Sequence, residues 1–366
     1  MSRRNILLTP GPIPVPEAVR EVMAQPVIHH RTPQYRKIFE QASERIKKVY
    51  LTKNTVYTFT GSGTSAMEAA IVNFHQAGDP VLVVDGGKFG ERWTDLANAF
   101  GLKPVVMKIP YGEAVEPRKI EEALRANPGI KSVCVELCET STAVLNDIQA
   151  IGKIVAQTKA LLIVDAISGL GADRMETDNW HVDLGVAGSQ KALMLPPGLG
   201  FLSVSEKARA RMKTANIPCF YLDLRLYEKA LKDWDTPFTP ALTIVIGLNK
   251  ALDLIEAEGI ENVFRRAAEL GEFTRVKIRS LVLEVFSKAP SSTVSAALLP
   301  ASIDGEQLVR IMRDEKGVTM AGGQGEVKGK IVRVAHMGSI TKADLEEGFS
   351  ILKETLEEMK TGARIA

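Results

Sequence analysis

The chain has 366 residues and a mass of 39.9 kDa, which suits two domains and excludes a small disulfide-stapled module. Hydrophobic residues make up 45% of it, and 46 basic residues against 44 acidic ones leave a net charge of +2, so nothing indicates a nucleic-acid or membrane-surface binder. Only three cysteines are present (Cys134, Cys138 and Cys219), and no window approaches about 18 apolar residues, so we expect a cytoplasmic protein.

Strand-like apolar runs alternate with helical patterns through the first two thirds of the chain. The runs cover residues 57–60, 81–84, 132–137, 161–164 and 200–204, with helical spacing over 65–74 and 147–158. This alternation favours an α/β fold with a mostly parallel central sheet and helices on both faces. In such sheets, ligands bind at the carboxyl ends of the strands.

The pattern changes near residue 259. A charged helical segment (261–281) is followed by strand-like runs at 282–286 and 294–298, a helix over 305–314, and a glycine-rich loop at 322–325. Thr341 and Asp344 are spaced as a capping box for a last helix with a core-facing apolar stripe. We predict an N-terminal segment (1–16), a large domain (17–258) and a smaller α+β C-terminal domain (259–366).

A glycine loop at residues 60–66 follows one strand and opens a helix, which makes it a candidate anion site. Gly61, Gly63 and Ala66 satisfy G-x-G-x-x-A, and Asp85 ends the next strand, so the segment also mimics a dinucleotide fingerprint. The hydroxyls of Ser62, Thr64 and Ser65 instead suit a terminal phosphate. The motif alone leaves a phosphate site, a dinucleotide site and a purely structural turn open.

One lysine, Lys191, lies among small and apolar residues that predict burial, which lowers the pKa of an amine and makes it a usable nucleophile. A surface lysine on a tight loop is the alternative. Asp165 ends a buried strand, where it could hold a metal, cap a helix or pair with a protonated ring nitrogen. The five histidines lack metal-binding spacing, so we predict no metal site. A phosphate cradle, a strand-end aspartate and a buried lysine are what pyridoxal phosphate requires.

Six motifs then carry a family resemblance: L-T-P-G-P from Leu8, G-S-G-T-S-A-M-E from Gly61, G-G-K-F-G-E-R from Gly86, E-T-S-T from Glu139, V-D at 164–165 and S-Q-K-A from Ser189. Across nearly its whole length the chain resembles the class V, fold-type I, pyridoxal-phosphate-dependent aminotransferases, close to the alanine–glyoxylate and serine–pyruvate group. The resemblance implies a large cofactor-binding domain with a mostly parallel sheet and a smaller C-terminal domain.

The resemblance also implies roles for individual residues. Lys191 would bind the cofactor as an aldimine and move the substrate's Cα proton, and Asp165 would pair with the pyridinium nitrogen. The other implied cofactor contacts fall into a phosphate cup, two residues packing on the ring and a hydroxyl near the phenolic oxygen: Ser62, Gly63, Thr64 and Gln190; Phe89 and Ile167; and Thr140.

Two further positions of the resemblance concern assembly and substrate. Thr239 lies in a segment similar to one that reaches the phosphate of a neighbouring subunit, which implies a homodimer with shared active sites. Arg333 lies in a strand similar to the one whose arginine binds the substrate carboxylate, and a guanidinium can grip a carboxylate with two hydrogen bonds. His30 and Arg31 are candidates for the mouth of the site, with no role assigned.

The expected activity is ping-pong transamination between a small amino acid (alanine, serine or aspartate) and a 2-oxo acid (glyoxylate or pyruvate). A cysteine desulfurase is the nearest alternative, but the loop at 319–330, where its catalytic thiol would lie, has no cysteine. A nicotinamide-dependent oxidoreductase and a noncatalytic subunit of a redox complex are the alternatives from other classes. The lysine, the aspartate and the arginine favour an enzyme over a noncatalytic subunit.

Overall fold

The computed structural model describes residues 5–361; the first four residues of the predicted N-terminal segment and the last five of the predicted C-terminal domain lie outside this range. The strands are β1 (Ile6–Leu7), β2 (Thr55–Gly61), β3 (Pro80–Asp85), β4 (Lys103–Lys108), β5 (Ser132–Glu136), β6 (Cys138–Glu139), β7 (Val144–Leu145), β8 (Leu161–Asp165), β9 (Leu184–Gly188), β10 (Gly198–Val204), β11 (Glu284–Val285), β12 (Val294–Leu298), β13 (Val318–Thr319), β14 (Ala321–Gly322) and β15 (Ile331–Ala335). The α-helices are α1 (Glu17–Met23), α2 (Pro33–Tyr50), α3 (Gly63–Val72), α4 (Lys88–Ala99), α5 (Pro117–Ala126), α6 (Ile148–Val155), α7 (Glu206–Met212), α8 (Leu224–Leu231), α9 (Leu242–Glu258), α10 (Ile260–Ser280), α11 (Gly305–Asp314) and α12 (Lys342–Thr361).

The central sheet has seven strands in the order β2-β10-β9-β8-β5-β3-β4. Strands β9, β8, β5, β3 and β4 are parallel, and β10 alone runs against both of its neighbours. Strands β5, β8 and β9 are buried along their whole length, as expected for a sheet covered on both faces. The prediction of an α/β fold with a mostly parallel sheet is confirmed.

Two strands of this sheet were not predicted. Strand β4 lies at the edge, carries Lys103, Pro104 and Lys108, and is only partly buried, so it lacks the continuous apolar run of a central strand. Strand β9 contains Gly185, where an added Cβ would lie 2.6 Å from the Ser203 hydroxyl oxygen on β10. Its glycines weaken the β signal in the sequence while permitting close packing in the sheet.

The C-terminal part of the chain is built on a four-stranded antiparallel sheet in the order β11-β12-β15-β14. Helix α10 follows Gly259, whose positive φ of 82° separates it from α9. The strand predicted over 282–286 is shorter than expected because Val282 has a positive φ and is 92% exposed. The domain limits at residues 16 and 258 remain predictions.

Two local features connect this C-terminal part to the rest. Strand β1 pairs in parallel with β13, and the Leu8 carbonyl accepts a hydrogen bond from the Ala335 N–H (2.9 Å) at the end of β15.

In the last helix, Asp344 and Thr341 form the expected capping box, with the Asp344 N–H donating to the Thr341 hydroxyl (3.2 Å) and the Thr341 N–H to the carboxylate (3.0 Å). Within residues 5–361, none of the helices combines the length and apolar character needed to cross a bilayer.

Candidate active site

A cavity lies at the carboxyl edge of the central sheet, where the loops after β2, β5, β8 and β9 converge. Its walls are formed by Ser62, Gly63, Thr64, Phe89, Arg92, Cys138, Thr140, Asp165, Ile167, Ser168, Gln190 and Lys191. All of the residues that the sequence suggested for the cofactor therefore meet in one place, except Thr239. Arg333, suggested for the substrate, contacts the cavity wall rather than forming part of it.

The Lys191 amine lies in this cavity just beyond the end of β9. The side chain is 8% exposed, and burial lowers the pKa of its amine to about 8. Its Nζ donates a hydrogen bond to the Pro10 carbonyl. Gly11 has a φ of 105°, and an added Cβ there would lie 2.5 Å from Lys191 Nζ, so the glycine permits the N-terminal segment to cover the amine.

Asp165 ends β8 with its carboxylate in the same cavity. Its Oδ1 accepts a hydrogen bond from the Ile167 N–H (2.8 Å). Burial nevertheless raises the pKa of the carboxyl to about 6, against the lowering effects of that bond and of the Arg92 cation. A buried carboxylate of this kind favours a cationic ligand, because a nearby positive charge offsets the cost of burying the ionised form.

This burial predicts an unusual effect on the stability of the protein without its cofactor. The folded state binds the Asp165 proton more tightly than the unfolded state, whose pKa is the ordinary 3.8, so the free energy of unfolding falls as pH rises from about 4 to 6. We expect Asp165→Asn to stabilise the cofactor-free protein by up to about 3 kcal/mol at pH 7 and by little at pH 4. Urea unfolding at both pH values measures the difference. The exposed Asp95→Asn serves as control, and a gain that did not change with pH would contradict the prediction.

The glycine loop presents donors at the start of α3. Ser62 precedes the helix, and its hydroxyl makes no capping hydrogen bond to it. At Gly63 an added Cβ would lie 2.5 Å from Ile167 Cδ1, so a larger residue would displace that side chain. The Ser65 hydroxyl, grouped with the cradle on sequence grounds, donates instead to the Ser62 carbonyl (2.6 Å) and is not among the residues of the cavity wall.

Gln190 adds a side-chain amide whose oxygen lacks a hydrogen-bond partner within residues 5–361. Its Oε1 is buried without a hydrogen-bond partner among the described residues. This oxygen is an acceptor, so it needs a donor from a ligand or from water. The amide nitrogen of Gln190 is a donor, and together with the hydroxyls of Ser62 and Thr64 and the N-terminus of α3 it fits a bound phosphate group.

Other wall residues are held by buried hydrogen bonds. The Glu139 carboxylate accepts from the N–H groups of Phe89 (3.1 Å) and Gly90 (2.9 Å), which fixes the first turn of α4 and hence the Phe89 ring. The Thr140 and Ser168 hydroxyl oxygens are 2.5 Å apart. Phe89 and Ile167 supply apolar surface suited to a flat ring.

Arg333 lies in the middle of β15 and reaches towards the cavity from the C-terminal sheet. Its Nε donates to the Gly322 carbonyl (2.9 Å) and its Nη1 to the Thr140 carbonyl (3.0 Å). These bonds use two of the five N–H donors of the guanidinium, which leaves three without a partner among residues 5–361. Burial lowers the pKa of Arg333 to about 10, so the group stays charged at neutral pH and fits a carboxylate ligand. Gly322, expected in a mobile loop, lies in β14.

Comparison with known proteins places the chain in a family. The model of the class-V aminotransferases matches residues 17–343. This chain belongs to the class-V aminotransferases. It is 38% identical over 364 residues to the small subunit of a soluble hydrogenase from Synechococcus sp., covering 98% of this chain and 94% of that protein. It is also 34% identical over 367 residues to the L-aspartate–glyoxylate aminotransferase of Paracoccus denitrificans, covering 98% and 93%.

Among solved structures, an alanine–glyoxylate aminotransferase from Nostoc sp. superposes with a TM-score of 0.94 at 27% identity, covering 97% of this chain and 96% of that one. The predicted family and enzyme class are thereby confirmed. The large sheet and the antiparallel C-terminal sheet are those of a class-V aminotransferase.

Three wall residues of this class-V aminotransferase were not predicted from the sequence: Arg92, Cys138 and Ser168. Arg92 could have been found, because it follows Phe89 by three positions on α4 and so shares a helix face with it. Ser168 follows Asp165 in a loop without regular periodicity. Cys138 was interpreted only as an indicator of compartment, and its Sγ lies 3.2 Å from the Thr293 hydroxyl oxygen.

Thr239 lies outside the cavity wall of the aminotransferase, in the turn before α9. The neighbouring Thr236 hydroxyl donates to the Phe238 carbonyl (2.7 Å), and the Ala241 N–H donates to the Thr60 hydroxyl oxygen (2.9 Å) beside the glycine loop. His30 and Arg31 also lie outside the wall, and Arg31 pairs with Asp235.

Proposed function

We propose that this chain catalyses pyridoxal-phosphate-dependent transamination between a small amino acid (alanine, serine or aspartate) and a 2-oxo acid (glyoxylate or pyruvate). The observation that carries the proposal is a buried amine of lowered pKa, Lys191, in one cavity with the strand-end carboxylate Asp165 and the side-chain amide of Gln190, whose oxygen has no partner among the described residues. When bound, the cofactor supplies a carbonyl that takes up the amino group and a ring that withdraws electrons.

The residues of the cavity fit that cofactor. Asp165 would hold the protonated ring nitrogen, which offsets the cost of its own burial. Ser62, Thr64 and Gln190 would hold the phosphate at the start of α3. Phe89 would pack on the ring, and Thr140 supplies a hydroxyl for the phenolic oxygen.

Lys191 and Arg333 divide the work on the substrate. With a pKa of about 8, about one Lys191 amine in ten is neutral at pH 7, enough to act as a nucleophile and to take a proton from the substrate's Cα and return it. The three remaining donors of Arg333 would bind the α-carboxylate, which fixes the Cα–H bond relative to Nζ. The same carboxylate site serves the amino acid and the oxo acid in turn, as a ping-pong reaction requires.

The cysteine desulfurase alternative needs a reactive thiol near the substrate. Cys138 does line the cavity, but it lies in β6, and burial raises the pKa of its thiol to about 12. Such a thiol is protonated at neutral pH and is a poor nucleophile. The protonated Cys138 thiol therefore favours transamination over the desulfurase reaction.

The nicotinamide alternative relied on G-x-G-x-x-A at the first helix. Strand β2, which leads into that loop, is an edge strand of the central sheet. Dinucleotides bind instead at the switch point inside a doubly wound sheet. A nicotinamide site also gives no reason to bury Lys191, and neither does a noncatalytic role in a redox complex.

The test of this function is a substrate panel on the purified protein loaded with pyridoxal phosphate. We expect visible absorbance from the bound cofactor, lost as a productive donor transfers its amino group and restored by a productive oxo acid. Alanine, serine and aspartate are assayed against glyoxylate and pyruvate. A protein that stays colourless with added cofactor would overturn the proposal.

We also propose that the chain works as a homodimer with Thr239 reaching the phosphate of the partner's site. Support comes from the exposed aromatic patch beside it, where Phe220 (74% exposed) and Tyr221 pack with Phe238. Exposed aromatic side chains in contact with one another are typical of interfaces.

The shared site gives a complementation prediction. Lys191→Ala and Thr239→Ala subunits, each defective alone, should form mixed dimers in which one of the two sites is intact. We expect cofactor retention and activity of the mixture to exceed the average of the two variants. Activity equal to that average, or a monomeric mass in solution, would contradict the proposal.

We place the protein in the cytoplasm. Cys134, Cys138 and Cys219 are all free, and the first two are buried among apolar side chains, as structural thiols in a reducing compartment are. Fractionation of the producing cells tests the location.

A further inference from the structure

The side chain of Arg92 is not explained by the roles assigned above. It extends from α4 into the cavity wall, with its guanidinium carbon 5.0 Å from the centre of the Phe89 ring. Its Nη1 donates to the Thr64 hydroxyl oxygen (3.3 Å). Among residues 5–361, Arg92 forms no ion pair with an acidic side chain, whereas most arginines of that range do. Its guanidinium therefore faces the cavity without a direct ion pair, although its charge acts on the Asp165 carboxylate in the same cavity.

The side chains that would hold the phosphate, called here the glycine-loop cradle, lack a positive charge. Ser62, Gly63, Thr64 and Gln190 are all neutral. A phosphate monoester carries a charge of about −1.5 to −2 at pH 7, whereas a helix N-terminus supplies only about +0.5. Lys191, the other cation of the cavity wall, is required for the carbonyl. A cradle made only of these groups would leave most of the phosphate charge unbalanced inside the protein.

We propose that Arg92 is the cationic residue of this phosphate cradle, acting directly on the phosphate and through the Thr64 hydroxyl. This inference rests on the proposed function. The Thr64 hydroxyl accepts from Arg92, so its own proton is free to be donated to a phosphate oxygen. The Phe89 face holds the planar guanidinium through a cation–π contact, which limits its motion before the ligand arrives.

A second role for Arg92 makes a different prediction. Arg92 also lowers the pKa of Asp165, so it could act mainly on the ring end of the cofactor by keeping that carboxylate ionised. The cation of a phosphate cradle acts only on ligands that carry phosphate. A residue that acts through Asp165 affects every ligand with the pyridine ring, whether or not it carries phosphate.

The experiment compares Arg92→Gln and Arg92→Lys with the parent in three titrations of the cofactor-free protein: pyridoxal phosphate, pyridoxal and inorganic phosphate. Absorbance reports the first two and calorimetry the third. The matched control is Arg118→Gln, which removes one exposed arginine paired with Glu122 on α5. Circular dichroism and Tm show whether each variant is folded, and the charge-retaining Arg92→Lys provides the measurement if Arg92→Gln is not.

We expect Arg92→Gln to weaken pyridoxal phosphate by about 30- to 1000-fold and to abolish inorganic phosphate binding, with pyridoxal changed less than about 3-fold. Arg92→Lys should fall between, because it keeps the charge but loses the planar fork. Equal losses for pyridoxal and pyridoxal phosphate, or no loss for either, would overturn the inference. If the parent bound inorganic phosphate through Arg92 but formed no coloured complex with pyridoxal phosphate, the cradle would stand and the proposed function would fail.

Discussion

Replacement of Lys191 by alanine should abolish covalent attachment of the cofactor and lower kcat by about 10⁴-fold. The physical reason is that one amine serves as both nucleophile and proton carrier, and positioned proton transfer alone contributes about 10²- to 10⁴-fold. Borohydride reduction followed by peptide mapping should place the cofactor on residue 191 in the parent and nowhere in the variant. Steady-state kinetics with the best donor of the panel measures the loss in rate.

Two matched variants separate chemistry from structure in this experiment. Lys191→Arg keeps a positive charge near Asp165 but has no amine for an imine, so it should be as inactive as the alanine variant while staying folded. Lys37→Ala, an exposed lysine on α2, should behave like the parent. Small alkylamines added to Lys191→Ala should restore part of the proton-transfer rate. A variant that kept a reducible link to the cofactor would place the nucleophile elsewhere.

Arg333→Ala should raise KM for amino-acid donors by about 30- to 4000-fold, equivalent to about 2–5 kcal/mol, the usual cost of removing one partner of a buried charge pair. The substitution also frees the carbonyls of Gly322 and Thr140, so part of the effect reflects a displaced Thr140. Arg333→Lys should recover only part of the loss, because an ammonium cannot bond both carbonyls and still offer two donors to a carboxylate. KM is measured for the amino acid and for the corresponding amine without its carboxylate.

The comparison of these two donors decides how the Arg333 result is interpreted. The parent should prefer the amino acid strongly, and the variant should lose that preference while its rate with the amine changes little. Cofactor absorbance should be retained, since Arg333 is not among the wall residues of the cavity proposed to hold the cofactor. Arg313→Ala, at an exposed arginine on α11, is the control. An unchanged KM for amino acids would mean that the carboxylate binds elsewhere.

The sequence was sufficient for the fold class because the central strands are buried on both faces and therefore consist of continuous apolar residues. Strand β8 (L-L-I-V-D) is the clearest instance. The sequence was insufficient to predict β4, a half-exposed edge strand, and β9, whose glycines suppress the β signal. Propensity describes a residue's own preference, while the position of a strand within the sheet is set by its neighbours.

The candidate site likewise contains residues that the sequence predicts and residues that it does not. Lys191 and Asp165 stand out in the sequence because charged residues in apolar surroundings are rare. Arg92 is less conspicuous, because α4 carries several charges and only the spacing of Arg92 from Phe89 indicates that it shares a helix face with that ring. The contact of Lys191 Nζ with the Pro10 carbonyl joins residues 181 positions apart, and no local pattern encodes it. Positions that matter through distant contacts become visible only in three dimensions.

That contact has a consequence for which molecules the site can accept. Leu8 is hydrogen-bonded to Ala335, two residues beyond Arg333, and Pro10, two residues beyond Leu8, touches the reactive amine. The short segment from Leu8 to Pro10 therefore links the strand that carries Arg333 to the Lys191 amine. Because this link holds the amine and the guanidinium in a fixed relation, we expect the site to discriminate against β- and γ-amino acids, in which extra carbons separate nitrogen from carboxylate, whatever their side chains.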